Sequence, residues 1–382
     1  MLLVSNVASF GGGGAVGFRD VILALRGKRP DLELVAVYPW KGSLAAECSR
    51  YGARTKIGWI PWWAYIQRLR SPHIEAFVSA LLCGLLLIAG VVHAVFLLAR
   101  LRPTAVVTNT MVVPSHAIAA NLLGIPHYWM VCEFGPDDHH FWFLLGYRRT
   151  IRLIHRLSKS VICNSQAVER ALLAIEPALN TTVIYPVVDD PLGVPPDRQP
   201  GERLRTVLVG YFSKAKGQRL ALEAIAIARS AGVDIELALI GAGSQRALRK
   251  VARRLGVEDL VDIHGPTRDV RRYWSAAHVG LMCSACEAFG RVTAEAMRAG
   301  LPVCGTDAGG TPEIITPGIN GLLSPTGDAS ALAANLMALE SDEELRRQLA
   351  RGAIQSTQRF ARDRHDDQLA AILLSPDRPS HS

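Results

Sequence analysis

The 382-residue sequence has no cysteine framework. Its seven cysteines are odd in number and irregularly spaced, which excludes a disulfide-stapled scaffold and fits a reducing compartment. Cys283-Ser-Ala-Cys286 is formally a CxxC. No second pair or histidine pair stands near it, so zinc is not expected; a redox role is the alternative, and two small residues ending a strand is the plainer reading. No basic segment precedes the first apolar run, Leu2 to Val7, so no secretory signal is expected. With 49% hydrophobic and 20% charged residues, the chain has neither the composition of a disordered protein nor that of a fibre.

Acidic residues are scarce in the first part. Up to Val187 there are 18 Lys/Arg against 10 Asp/Glu, a net of +8; the remainder holds 24 against 24, a net of zero. The excess points to an anionic partner for the first part, with a basic surface kept for solubility as the plain alternative. A nucleic-acid partner is not expected, because no basic stripe with stacking aromatics extends beyond Trp59–Arg70.

What is present is alternation. Val/Ile/Leu runs take turns with helical stretches, as in parallel sheets with helices on both faces. Expected strands of the first part are Leu2–Val7, Leu34–Tyr38, Ala105–Thr108, His127–Val131, Val161–Cys163 and Val183–Tyr185, with helices at Gly17–Leu25 and Ser115–Leu123. Proline and glycine crowd Pro186 to Gly201, which reads as a linker. The alternation then restarts, with strands at Thr206–Val209, Ile235–Ile240, Val261–His264, Val279–Met282 and Val303–Thr306. The length exceeds the usual ceiling for one core. We therefore expect a first domain at 1–187, a linker at 188–201, a second domain at 202–360, and a terminal helix and tail at 361–382. Ligands of such sheets bind beyond the carboxyl ends of the strands.

Phe77 to Ala99 is an apolar run of membrane-spanning length. A single crossing would separate strands that belong to one sheet. Trp59, Trp62 and Trp63 with Arg68 and Arg70 look like an interfacial anchor of aromatics and cations. A helix docked on a membrane is favoured over a buried one, and a spanning one comes last.

Four stretches carry chemistry. Ser9-Phe-Gly-Gly-Gly-Gly-Ala-Val-Gly17 follows the first strand and opens a helix. Its Gly11, Gly12, Gly13 and Gly14 allow close approach of a phosphate or sugar. The second strand ends Tyr38-Pro-Trp-Lys41 without the acid a dinucleotide ribose needs, so a nicotinamide cofactor is disfavoured. Gly210-Tyr-Phe-Ser-Lys-Ala-Lys216-Gly217 opens the second domain the same way, with Lys216 placed for a diphosphate. In "CEAFGRVTAEAMRAGLPVCGTDAGGTPEII", Glu287 falls in the loop after a strand, and Phe289-Gly290 makes the turn. Glu295 lies one helical turn further on. A carboxylate there accepts hydrogen bonds from two neighbouring hydroxyls, as on a ribose or hexose. The Gly309-Gly310 turn adds backbone donors. A nucleoside diphosphate sugar satisfies these groups together. Glycosidase acid and base would be another use for the two carboxylates; the phosphate-binding features and the tandem sheets speak against it. Two exposed acids near a helix N-terminus is the structural alternative.

These stretches resemble the retaining glycosyltransferases of the GT-B fold, glycosyltransferase family four in particular (glycosyl transferases group 1). The resemblance is carried by "EAFGRVTAE", "AMRAGLPV", Gly309 to Glu313, "PGINGLL", Lys216-Gly217, "VICNSQAV" and "VIYPVVD". It covers nearly the whole chain and is strongest from Val207 to Leu323. It implies an α/β fold of two tandem Rossmann-like, doubly wound parallel-sheet domains with a cleft between them. It also implies that Glu287 holds the donor hexose, that Glu295 holds the ribose, and that Lys216 binds the diphosphate. Phe289 and Gly290 would give backbone contacts, with Lys214, Gly217, Arg291, Gly309, Gly310 and Glu313 around the donor. The family usually carries an arginine where this sequence has Tyr211, and Lys214 or an arginine of the first domain would replace its charge. In the first domain, Glu133 aligns with the family's usual histidine, and His139 and His140 follow closely; Glu133 and His139 are the catalytic candidates there, beside Glu287 and Lys216 in the second domain.

The implied reaction is hexosyl transfer with retention, from a nucleoside diphosphate sugar to a lipid-linked or polysaccharide acceptor. The enzyme would be cytoplasmic and peripheral on the inner, anionic face of the cell membrane. No metal or other cofactor is expected: no Asp-x-Asp pair stands in a matching place, and Asp137-Asp138 suits a loop better than a chelate. A soluble transferase acting on a small acceptor is the first alternative, and a non-catalytic nucleotide-sugar-binding protein of the same fold is the second.

Overall fold

The computed structural model describes the chain except residues 67–71, 190–192, 195–196, 268 and 376–382. The chain divides into two units, Met1–Val187 with Arg362–Ser382, and Val188–Ala361. The expected linker falls partly outside the described residues, as do Arg68 and Arg70.

The first unit contains β1 (Leu2–Val4), β2 (Val35–Tyr38), β3 (Arg54–Ile57), β4 (Ala64–Ile66), β5 (Val106–Asn109), β6 (His127–Val131), β7 (Phe141–Phe143), β8 (Ser160–Cys163) and β9 (Thr181–Val183). Among the described residues, seven of these form a parallel sheet in the order β3-β2-β1-β5-β6-β8-β9. β1, β2, β5, β6 and β8 are buried along their whole length, which is why they read as unbroken apolar runs and not as alternating ones. The edge strand β3 is exposed throughout. Its Arg-Thr-Lys sequence hid it from a hydrophobicity reading and protects the open edge.

The helix Gly13–Lys28 lays Phe18, Val21, Ile22 and Leu25 on the sheet, a three-four spacing that keeps one face inward. The final helix, Arg362–Leu373, packs on it. Arg362 Nη2 stands 3.3 Å from Oδ1 of the buried Asp20, and Lys28 pairs with Asp367 at 2.5 Å. The terminal helix is therefore part of the first unit.

β4 and β7 form a small antiparallel pair. It corrects the expected aromatic anchor. Trp63 is 1% exposed, its indole N–H donates to the Met111 carbonyl at 2.8 Å, and its ring stacks on Trp129 at 5.8 Å. Trp62 is half-buried, edge-on to Phe141. Of the three tryptophans only Trp59 is exposed.

The apolar run forms the helix Pro72–Leu101. Gly90, Ala94 and Leu98 face inward, yet only 17% of its apolar window is buried. It is thus not a core helix. Nor does it cross a membrane in this fold, since β3 before it and β5 after it share one sheet.

The second unit contains β10 (Leu204–Val209), β11 (Ile235–Ile240), β12 (Val261–His264), β13 (Val279–Met282), β14 (Val303–Thr306) and β15 (Gly321–Ser324). Their parallel order is β12-β11-β10-β13-β14-β15. β15, in "NGLLS", was not expected as a strand. The chain leaves β10 toward β11 on one side, and its other neighbour is β13. That reversal opens a crevice between the loops that follow β10 and β13, which are the Lys216 loop and the Glu287 loop.

Candidate functional site

The loop after β10 ends in a single 3-10 turn, Lys214–Lys216, and Gly217 in the left-handed region (φ 69°) starts the helix Gln218–Ser230. A Cβ on Gly217 would stand 1.9 Å from the Cys283 carbonyl oxygen, so only glycine lets this loop lie against the end of β13. The Ala285 N–H donates to the Ala215 carbonyl at 3.0 Å and joins the two loops directly.

Lys216 Nζ meets Glu287 Oε2 at 2.6 Å, with the two side chains 37% and 16% exposed. Gly290 precedes the helix Arg291–Arg298. One turn in, Glu295 Oε1 accepts from Arg291 Nε at 2.8 Å. Lys216, Glu287 and Gly290 line one small pocket with Gly210, Ser284 and Val292. The structure thus brings Lys216 and Glu287 together across the crevice, with Arg291 and Glu295 paired on the helix that Gly290 opens.

The Gly309-Gly310 turn lies against the Glu287 loop. The Gly310 N–H donates to the Glu287 carbonyl at 2.7 Å, and a Cβ on Gly309 (φ 56°) would lie 2.2 Å from that same oxygen. The turn clasps the backbone of the Glu287 loop and sets where its carboxylate points. Phe289 is buried, edge-on to Phe360 at 5.2 Å, so its ring anchors the loop. Glu313 sits in the short helix Thr311–Ile314, where its carbonyl accepts from Arg359. Lys214 lines an adjoining cavity with Arg219, Ser244 and Thr326, and Cys283 borders both. Tyr211 is 62% exposed. Ser284 in the pocket, and the buried Thr293 and Thr311 hydroxyls, which have no hydrogen-bond partner among the described residues, were not expected. Small hydroxyl residues among apolar ones give no sequence signal.

In the first unit, Gly11 to Gly14 stay exposed, and a Cβ on Gly11, Gly12 or Gly13 would meet no protein atom within 4 Å. The end of β5 lies beside it, where Asn109 Nδ2 donates to the Gly14 carbonyl at 3.1 Å. Glu133 is buried at the end of β6. Its carboxylate accepts from the Thr110 hydroxyl, from Met111 N–H at 2.7 Å and from Cys132 N–H at 2.9 Å. Burial pushes its pKa up, and those three donors pull partly against that. It is a hub that ties the ends of β5 and β6. His139 ends the short helix Pro136–His139, and its side chain lies outside the described residues. His140 follows in the left-handed region (φ 55°), exposed. Among the described residues no group of three His, Cys, Asp or Glu side chains could hold a metal ion.

Comparison with known proteins agrees with this architecture. Residues 196–356 match the family described as Glycosyl transferases group 1. The chain is 36% identical over 149 residues to the amylovoran biosynthesis glycosyltransferase AmsK of Erwinia amylovora, covering 37% of each chain. It is 31% identical over 233 residues to the lipopolysaccharide core biosynthesis glycosyltransferase LpsE of Rhizobium meliloti, covering 60% of each. The chain spans about a third to three-fifths of the length of the curated relatives it matches. Among solved structures, Anabaena Alr3699/HepE with UDP and glucose superposes at a TM-score of 0.74 and 21% identity, over 98% of this chain and 99% of that one. The apo lipopolysaccharide outer core galactosyltransferase WaaB superposes at 0.73 and 17%, over 98% of each. These neighbours establish the fold, which is GT-B.

Proposed function

Starting from a GT-B chain whose residues 196–356 are a glycosyl transferases group 1 domain, we propose that this protein moves a hexosyl group from a nucleoside diphosphate sugar to a lipid-linked or polysaccharide acceptor, with retention, at the inner face of the cell membrane. The observation that carries the reading is the Lys216–Glu287 pair facing across the crevice between β10 and β13. Each partner has a use when a donor enters. Lys216 turns to the diphosphate, and Glu287 is freed to accept from hexose hydroxyls. Glu295 exchanges Arg291 for the ribose hydroxyls in the same way.

The departing diphosphate gathers negative charge in the transition state. Once Lys216 has turned to the diphosphate, it and the N-terminus of the helix Arg291–Arg298 stand where that charge develops and stabilise it electrostatically. In this reading no metal or other cofactor takes part. Glu133 holds the first unit's loops, and Gly11 to Gly14 leave room for the acceptor or its phosphate. The solved HepE complexes with UDP and UDP-glucose favour a uridine donor, and the polysaccharide and lipopolysaccharide roles of AmsK and LpsE favour an envelope glycan as acceptor.

Calorimetric titration of wild type and Glu295→Ala with UDP-, GDP- and ADP-sugars tests the donor half. Binding of UDP-sugars that weakens in the variant is the expected result. Folded wild type that binds none of them overturns the reading.

A further inference from the structure

We propose that one face of the first unit docks on an anionic lipid bilayer, with the helix Pro72–Leu101 lying in the plane of the interface and the helix Tyr147–Leu157 gripping the headgroups. This deepens the membrane part of the function proposed above, and its test needs no turnover.

Two observations on different helices converge. The first is an apolar stripe. Leu81, Leu82, Leu85, Ile88, Val92 and Phe96 are each 50–72% exposed. At 3.6 residues per turn they fall within about 120° of arc and run about 22 Å along the axis. The opposite face holds Ala94 and Leu98, both fully buried. The helix is therefore seated on the unit by one side and offers water a stripe with no polar side chain. Isolated exposed apolar residues need no explanation, but a continuous row of six does.

The second observation is an arginine face. In Tyr147–Leu157 the buried residues are Thr150, Ile151 and Ile154. Arg148, Arg149, Arg152 and Arg156 are exposed, within about 100° of arc. None makes an ion pair among the described residues. The helix Ser115–Leu122 packs against both the apolar helix and the arginine helix, and its end exposes Leu122 and Leu123. Trp142, 57% exposed, stands just before the arginine helix, where an amphipathic ring suits the headgroup level.

The charge decides the occupant. A second copy of this chain would bring the same unpaired arginines toward one another. An anionic leaflet supplies what both parts lack, an apolar layer for the stripe and phosphates for the guanidinium groups. The excess of +8 up to Val187, from 18 Lys/Arg against 10 Asp/Glu, points the same way.

Flotation of the full chain with phosphatidylcholine vesicles, with and without phosphatidylglycerol, tests this. Two variants accompany wild type: Leu85→Glu/Ile88→Glu, and Arg149→Ala/Arg152→Ala/Arg156→Ala. All five side chains are exposed, so each variant should keep the wild-type melting temperature. We expect wild type to float with anionic vesicles. The arginine variant should lose about fivefold in anionic-vesicle partitioning per arginine removed and change little on neutral vesicles. The stripe variant should fail to float on either. Wild type that stays unfloated on both compositions overturns the proposal. So does a wild-type dimer, without vesicles, that the stripe variant turns into a monomer, because the face would then be a contact between copies. Failure of the donor titration would leave this result standing.

Discussion

Glu133 offers the sharpest separation of structural from catalytic roles. Its carboxylate is buried and takes two backbone N–H groups, those of Met111 and Cys132, with the Thr110 hydroxyl as a third donor. Glu133→Ala would leave both N–H groups buried without an acceptor. At about 1–3 kcal/mol per orphaned group, the first unit should lose roughly 2–6 kcal/mol, a large share of a typical domain's stability. For a unit of this size that is a fall in melting temperature of roughly 5–20 °C. Glu133→Gln is the finer probe. It keeps the oxygen that serves Thr110 and Met111 but turns an NH2 group toward the Cys132 N–H, a loss of about 1–3 kcal/mol. The carboxyl pKa is raised by burial in the folded state. The protonated form is thus favoured by folding, and the associated stability is present below the ordinary carboxylate range and lost as pH rises through the folded value. The amide cannot titrate, so the difference between wild type and Glu133→Gln should vary with pH in that direction. Urea unfolding of the three proteins from pH 4 to 8 measures all of this. An alanine variant as stable as wild type, with only turnover reduced, would refute the hydrogen-bond argument and return Glu133 to the reacting centre.

Other consequences are simpler. Lys216→Ala should lower kcat/KM by about 10²–10³ while moving stability by less than about 1 kcal/mol, because a pair in which Lys216 is 37% exposed is screened by water; parallel kinetics and melts would show the split. Gly309→Ala puts a Cβ 2.2 Å from the Glu287 carbonyl at a positive φ, so it should weaken donor binding by displacing the Glu287 loop, read by calorimetry against a melting curve. His116 and His127 are buried, and burial lowers the pKa of each to about 3. The unfolded chain takes up those protons near pH 6.5 and the folded one does not, so their contribution is full above that pH and is lost as pH falls toward 3. Melts of wild type and His127→Gln at pH 7, 5 and 4 should diverge at the acid end.

Much of this protein was legible in the residues. Apolar runs alternating with helical stretches, interrupted near Val187, announced two parallel-sheet units, because strands buried on both faces need continuous apolar sequence. Gly217, Gly290 and Gly309 stood out because a left-handed or crowded backbone leaves few other choices. Glu287, Glu295 and Lys216 stood out by their spacing from those glycines. Tertiary structure alone decided which of these groups meet. Lys216 reaches Glu287 because β10 and β13 are neighbours, a pairing across some seventy residues that no local pattern encodes. It also decided that Trp63 is core while Trp59 is surface, that Glu133 is a buried hub, and that the Gly309-Gly310 turn clasps a loop. The apolar helix shows the division most plainly. Its composition established that it avoids water, but only packing on one side could leave the other side bare, since exposure is a property of neighbours and not of sequence.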